Sequence, residues 1–95
     1  MRRDPYTGFE YPFYRVTADV WNAKAKEYER EVLMQAQTYE EALAVVRKTD
    51  VNPDVFQLRI VEDNYDDDEV IAIKVATDDT DGYTFYDPRT EKEIA

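Results

Sequence analysis

The chain of 95 residues contains no cysteine, no histidine and no serine, and it has only two glycines. Without cysteine, disulfides, thiolate metal sites and thiol nucleophiles are excluded. Without histidine and serine, the usual general base, the commonest metal ligand and the serine triad are missing. Gly8 and Gly82 alone cannot build a phosphate-binding or dinucleotide-binding loop. We therefore expect a protein that is not an enzyme, with no catalytic residues and no cofactor.

Long apolar runs are absent as well. No stretch of about 18 apolar residues is present, so no membrane-spanning helix is predicted. Arg2 and Arg3 are not followed by the apolar segment of a signal peptide, and a cytoplasmic location is the expectation. The net charge of −10 would repel DNA, RNA and anionic lipid, so neither direct nucleic-acid binding nor membrane binding is expected.

A chain of this length forms one domain, residues 1–95, and its acidic residues are concentrated in the last third. Residues 1–60 hold ten acids and nine bases, a net charge of −1, whereas residues 61–95 hold twelve acids and three bases, a net charge of −9. Such asymmetry indicates an interaction surface. The alternative is that the acids only keep the protein soluble and monomeric.

Alternating apolar residues predict a hairpin near the N-terminus. Residues 13–21 and 27–37 are predicted as strands joined by a turn at 22–26, and a helix over 18–33 is the alternative because Ala, Lys and Glu favour helices. Residues 1–12 predict an irregular arm that Phe9 and Tyr11 pin to the body. The residues predicted to share a face are Tyr14, Val16, Ala18 and Val20 in the first strand and Tyr28, Arg30, Val32, Met34 and Ala36 in the second.

A helix is predicted over 38–48. Thr38 is an N-cap and Glu41 follows three residues later, which is a capping box. Acids open the segment and bases close it, as the helix dipole prefers, and Pro53 prevents further extension. The apolar residues at helical spacing, which predict the buried stripe, are Tyr39, Ala42, Leu43 and Val46.

A second hairpin is predicted from strands at 54–62 and 69–77, followed by a turn at 78–82 and a short C-terminal hairpin. Its predicted inward residues are Phe56, Leu58, Ile60, Ile71, Ile73 and Val75. The order β-β-α-β-β predicts an α+β fold with one helix packed on a mainly antiparallel sheet, with 13–77 as the core and 78–95 as an acidic turn and hairpin. The rest of the sheet would be covered by the N-terminal arm, by the C-terminal hairpin or by a second copy of the chain.

The stretch VWNAKAKEYEREVLMQAQTYEEALAVV resembles small uncharacterised domains from phage and other mobile elements. In those domains a hairpin with a lysine-rich turn leads into a helix that starts A-x-T/S-aromatic-x-E-A. The resemblance covers less than a third of the chain and includes no functional motif, so it implies no site residue. It favours a phage or mobile-element origin.

The acidic stretch EDNYDDDE at 62–69 is the main candidate for function. A calcium loop is not indicated, because this stretch has no glycine, and a loop centred on Gly82 would start at Thr77 and end at Pro88. A looser site in which Asp66 and Asp68 share a divalent cation stays open. A carboxylate pair for glycoside hydrolysis is not expected, because the acids crowd into solvated turns.

We expect the acids instead to face a basic protein surface, with exposed tyrosines as contact residues. If the strand at 69–77 is straight, acidic turns at its two ends lie roughly 30 Å apart. In its sharpest form this hypothesis predicts a nucleic-acid-mimicking inhibitor of a DNA-binding protein or nuclease, of the anti-restriction or anti-CRISPR type. The alternative is a structural or oligomerising domain, with a homodimer as one form, whose acidic turns serve solubility only. The residues assigned to the partner-binding surface are Glu62, Asp63, Tyr65, Asp66, Asp67, Asp68, Glu69, Asp78, Asp79, Asp81, Tyr83 and Tyr86.

Overall fold

The computed structural model of the chain describes residues 2–77 and 82–94. Within these residues a single helix packs on a six-stranded antiparallel sheet of order β2-β1-β3-β4-β5-β6. The elements are β1 (Phe13–Asn22), β2 (Glu27–Ala36), α1 (Tyr39–Lys48), β3 (Val55–Asp63), β4 (Asp68–Ala76), β5 (Tyr83–Asp87) and β6 (Lys92–Glu93). The predicted α+β fold with a C-terminal hairpin is confirmed, and residues 18–33 form the hairpin rather than the alternative helix.

Helix α1 begins as the capping pattern predicts. The backbone N–H of Glu41 donates to the Thr38 hydroxyl at 3.3 Å, and that hydroxyl donates to the Glu41 carboxylate at 2.9 Å. The reciprocal contact of the capping box is therefore a hydrogen bond between the Thr38 and Glu41 side chains. Ala42 and Val46 are buried against the sheet. Residues of both the helix and the sheet form the core, which contains Val16, Ala18, Ala42, Val46, Leu58, Ile60, Ile71, Ala72 and Phe85.

A β-bulge in β2 corrects the predicted face of that strand. Val16 pairs with Met34 and Thr17 pairs with Val32, which leaves Leu33 as an extra residue. Because an extra residue interrupts the alternation of side chains, Met34 and Ala36 face the helix, whereas the residues before the bulge reverse their facing. The prediction that the whole strand buries one face is wrong, and Tyr28, Arg30 and Val32 lie on the face opposite α1, called the open face below.

Bulges in β3 and β4 overturn three further predicted inward positions. Phe56 is skipped where Asp19 pairs with Gln57 and Val20 with Val55, and it lies on the open face. Ile71 is skipped in β4, so the residues after it reverse their facing. Ile73 and Val75 therefore lie on the open face, whereas Ala72 and Lys74 face the helix.

The N-terminal arm covers one end of the open face, which is one of the alternatives left open by the sequence. It turns where the Gly8 N–H donates to the Asp4 carbonyl oxygen at 2.8 Å. Gly8 has a φ of +78°, a left-handed conformation that glycine adopts without a Cβ penalty. The rings of Phe9 and Tyr11 then pack on Phe13 with centroid distances of 5.6 and 5.4 Å, which buries Phe13.

Candidate functional site

The acidic turn, residues 62–69, joins β3 to β4 at one end of the sheet. Glu62 pairs with Glu69 and Asp63 pairs with Asp68 across the hairpin. Paired residues share a face and successive pairs alternate, so the two glutamates lie on the helix side and the two aspartates on the open side. Asp66 and Asp67 are exposed in the connecting loop. The six carboxylates therefore point in different directions and form no single flat face.

Arg15 holds the base of the acidic turn together. One of its guanidinium nitrogens lies 2.8 Å from Asp63 Oδ2 and the other lies 2.8 Å from Asp68 Oδ2. Burial by itself would lower the pKa of Arg15, but the hydrogen bonds to the two carboxylates more than offset burial and raise that pKa above its ordinary value. Two of the six acids thus share one positive charge, and the ends of β3 and β4 are held to β1.

Tyr65 occupies a strained position that its neighbours stabilise. Its φ of +76° lies in the left-handed region, which costs roughly 1–2 kcal/mol for a residue with a Cβ. Its backbone N–H donates to Asp63 Oδ1 at 3.0 Å. Its ring meets the edge of Tyr11 at 5.3 Å, and the Arg2 guanidinium lies 4.1 Å above it. The arm therefore clamps the turn, while 55% of Tyr65 remains exposed.

The helix side of the acidic turn is also hydrogen-bonded. Tyr14 Oη donates to Glu62 at 3.1 Å, and the pKa of Tyr14 is raised, first by burial and then by this hydrogen bond. Arg89 lies 3.5 Å from Glu69 and 2.8 Å from Asp87, and its hydrogen bonds lower the pKa of the Asp87 carboxyl. Among the contacts between described residues, only the two loop acids of the turn lack such partners.

The other assigned residues do not join the acidic turn. Tyr86 pairs with Ile73 in the middle of β4 and lies on the open face, whereas Tyr83 pairs with Ala76 at the far end of the sheet. The remaining assigned residues, which fall outside the described residues of the chain, are Asp78, Asp79 and Asp81.

Lys74 is a buried charge that the sequence pattern misplaces. It is 3% exposed, and its ammonium donates to the carbonyl oxygens of Val46 and Thr49 at 3.1 and 2.7 Å. It also lies 4.6 Å above the Tyr83 ring. Burial lowers the pKa of Lys74, and the nearby Asp50 partly offsets this effect. No sequence signal marks this position, because unbroken alternation directs Lys74 outward.

A cavity of about 380 Å³ adjoins this lysine. Because the ammonium is already engaged by two carbonyls and a ring, it has little donor capacity left for a ligand. Lys74 therefore acts as a cap for the C-terminal end of α1. The residues that line the cavity are Asp50, Val51, Asn52, Lys74 and Tyr83.

Within residues 2–77 and 82–94, no three side chains of the metal-binding types come together as a candidate metal site. Of the pair considered for a looser cation site, Asp68 is already bound to Arg15. Across the same residues, no helix is long and apolar enough to cross a membrane. No protein family, curated protein or solved structure matches the chain.

Proposed function

We propose that the chain is a non-enzymatic binding protein that presents the acidic turn to a basic surface of a partner protein. The observation that carries this proposal is the way the turn is held. Arg15 and the Arg2–Tyr65–Tyr11 stack order it, while Asp66 and Asp67 stay exposed and form no ion pair with any described residue. The turn is therefore an ordered loop that exposes a tyrosine ring and two carboxylates without ion-pair partners among the described residues.

Rigidity and charge favour binding in different ways. A loop that is ordered before binding loses less conformational entropy when a partner docks, so more of the contact energy appears as affinity. The net charge of −9 in residues 61–95 would attract a basic partner and speed its association at low salt.

The sharper form of the proposal is a nucleic-acid-mimicking inhibitor of a DNA-binding protein or nuclease, working in the cytoplasm and of phage or mobile-element origin. Its support is the density of acids in residues 61–95. The carboxylates of the acidic turn divide between the two sides of the hairpin. A basic groove would therefore bind the end of the hairpin with one side of the hairpin against each wall. Such a groove would then contact acids on both of its walls.

An oligomerising domain is the second candidate, and the open face favours it. Trp21, Tyr28 and Phe56 form an exposed aromatic cluster there, with centroid distances of 5.1 and 5.5 Å. Light scattering separates the two functions. A stable dimer that buries these rings, together with the absence of any basic partner, would favour the second candidate.

The test compares two variants of equal charge. A basic partner is captured from bacterial lysate, purified and titrated with the chain at low and high salt. The double variant Asp66→Asn, Asp67→Asn is expected to bind roughly tenfold more weakly, a loss of about 1.4 kcal/mol. The control Asp50→Asn, Asp54→Asn changes two exposed aspartates away from the acidic turn and is expected to bind normally. Equal binding by both variants, or no captured basic protein, would refute the proposal.

A further inference from the structure

Strand β2 is a long edge of the sheet. It has ten residues, whereas the opposite edge, β6, has two. One side of β2 pairs with β1, and no described strand pairs with its other side. An edge of this kind presents backbone N–H and C=O groups that can pair with another chain.

The helix side of this edge is a row of acids. Glu27, Glu29 and Glu31 alternate along the strand and are all exposed. The last two lie opposite Val20 and Ala18, whose side chains face the helix side of the sheet. The three carboxylates therefore share one face, where a side chain from an added strand would lie beside them.

The open side of the same edge is largely apolar. Tyr28 and Val32 are 44% and 54% exposed, and Trp21 and Phe56 beside them are 39% and 37% exposed. The ring of Tyr28 contacts both of those aromatic residues, and its hydroxyl donates to the Pro53 carbonyl oxygen at 2.7 Å. The aromatic cluster is thus ordered before any partner binds.

Arg30 lies within this open side, and its side chain is 59% exposed. It lies 3.2 Å from Asp19, which also contacts Arg59 at 3.4 Å. The single carboxylate of Asp19 balances one of the two guanidinium groups. Over residues 27–32 the strand therefore offers acids on one face and, on the other, the apolar groups of Tyr28 and Val32 with the exposed Arg30 between them, before the bulge at Leu33 interrupts the ladder. This regular segment is roughly 20 Å long.

A second copy of the chain is a poor match for this edge. Two copies that pair antiparallel about a twofold axis place the same faces side by side, so the glutamates of one copy would meet those of the other. Like charges directly opposite each other on paired strands are destabilising. The acid row therefore disfavours self-pairing and favours a strand of opposite charge.

We propose that β2 is a strand-addition site for an extended segment of a partner protein in which basic and apolar residues alternate. The backbone of that segment would pair with the outer edge of β2. Its basic side chains would lie beside Glu27, Glu29 and Glu31, and its apolar side chains would pack on Tyr28 and Val32. This surface is distinct from the acidic turn, so the inference does not depend on the proposed function.

The probe is a short synthetic peptide of alternating lysine and valine, added to the isotope-labelled chain. Amide hydrogen exchange is expected to slow in β2, because outward N–H groups become paired. The charge-swap variant Glu29→Lys, Glu31→Lys is expected to bind this peptide about tenfold more weakly or worse. The same variant should gain binding to a peptide of alternating glutamate and valine, which shows that the variant is folded.

Two controls separate strand addition from general attraction between charges. A peptide of the same composition with its lysines and valines in two blocks should not protect β2. The variant Asp66→Asn, Asp67→Asn should leave protection of β2 unchanged, even if the proposed function fails. The inference is overturned if the block peptide protects β2 equally, if the charge swap has no effect, or if light scattering and cross-linking show a dimer paired through β2.

Discussion

At the residue scale, Lys74 shows how a charge is accommodated inside a small core. Removing an ammonium from water is costly unless it regains hydrogen bonds. Here the carbonyl oxygens of Val46 and Thr49, at the end of helix α1, accept two of them. Those carbonyls carry the negative end of the helix dipole, so the charge and the helix end stabilise each other.

Replacing this charge should cost stability. Lys74→Met keeps the length of the side chain but removes the ammonium donor from the Thr49 carbonyl oxygen and leaves the Val46 carbonyl oxygen with the Thr49 N–H at 3.3 Å, so we expect a loss of about 1–3 kcal/mol in the free energy of unfolding. Urea denaturation measures it. The control Lys48→Met removes an exposed charge from the same helix end and should change stability by less than about 0.5 kcal/mol. A Lys74→Met variant as stable as the parent would contradict this role of the ammonium.

The turn in the N-terminal arm carries a pH-dependent contribution. The Thr7 hydroxyl donates to the Asp4 carboxylate and is the main reason that the pKa of Asp4 lies below its ordinary value of 3.8. A carboxyl group with a lowered pKa in the folded state stabilises the fold above its unfolded pKa, and this contribution is lost as the pH falls through the folded value.

Thr7→Val should therefore raise the pKa of Asp4 towards 3.8. A carbon-detected NMR titration of the carboxyl groups follows the Asp4 side chain directly. The pKa of Asp87, which Arg89 holds low, serves as the internal control and should not change. Any stability lost in Thr7→Val should be present at neutral pH and disappear in acid, and an unchanged Asp4 titration would exclude the assigned hydrogen bond as the cause.

Among the strands, the bulges determine which side chains face the core and which are exposed. The extra residue in β2, Leu33, separates a segment that faces outward with Tyr28 and Val32 from a segment that packs inward with Met34 and Ala36. One strand can then contribute to the core at one end and present an exposed edge at the other. Unbroken alternation would not allow both.

Deleting Leu33 should be tolerated. The residues on either side keep their present partners, Val32 with Thr17 and Met34 with Val16, so a regular ladder forms and every other side chain keeps its face. We expect urea denaturation to show a change within about 1 kcal/mol.

Deleting Glu31 instead provides the comparison. The bulge is then lost with Leu33 opposite Thr17 and Val32 opposite Ala18, so Val32 turns to the helix side and Leu33 takes its place on the open face, and a larger loss is expected. Equal losses for the two deletions would show that Leu33 is not the extra residue.

At the scale of the whole molecule, charge repulsion opposes the compact state. The chain carries 22 acids and 12 bases, and a net charge far from zero destabilises a folded protein through self-repulsion. Surface ion pairs contribute little, so their screening should not dominate.

Added salt should therefore stabilise the protein. We expect the melting temperature at pH 7 to rise as sodium chloride screens the acids over the Debye length, which is about 8 Å at physiological ionic strength. The variant Asp66→Asn, Asp67→Asn should start from a higher melting temperature at low salt and gain less from added salt. A melting temperature that falls with salt would mean that the ion pairs outweigh the net repulsion.

Local patterns predicted most of the architecture because they depend on near neighbours. Alternation indicated the strands, and the Thr38–Glu41 capping box indicated the start of α1. The bulges have no such pattern, because an extra residue is defined only by the strand opposite. For that reason the faces assigned to Tyr28, Phe56, Ile73 and Val75 were wrong, and the burial of Lys74 was missed.

The candidate site divides in the same way. Its acidic character and its position between two strands follow from the sequence alone, since composition and local alternation suffice for both. Its charge balance and its ordered conformation do not follow from the sequence alone, because Arg15 contacts Asp63 across a sequence separation of 48 residues. Only the pairing of β1 with β3 brings them together, and only the docked arm places Arg2 and Tyr11 on Tyr65. The position of the acids along the chain follows from the sequence, whereas the tertiary structure settles which of their carboxylates have a basic partner, since these ion pairs join groups that are distant along the chain.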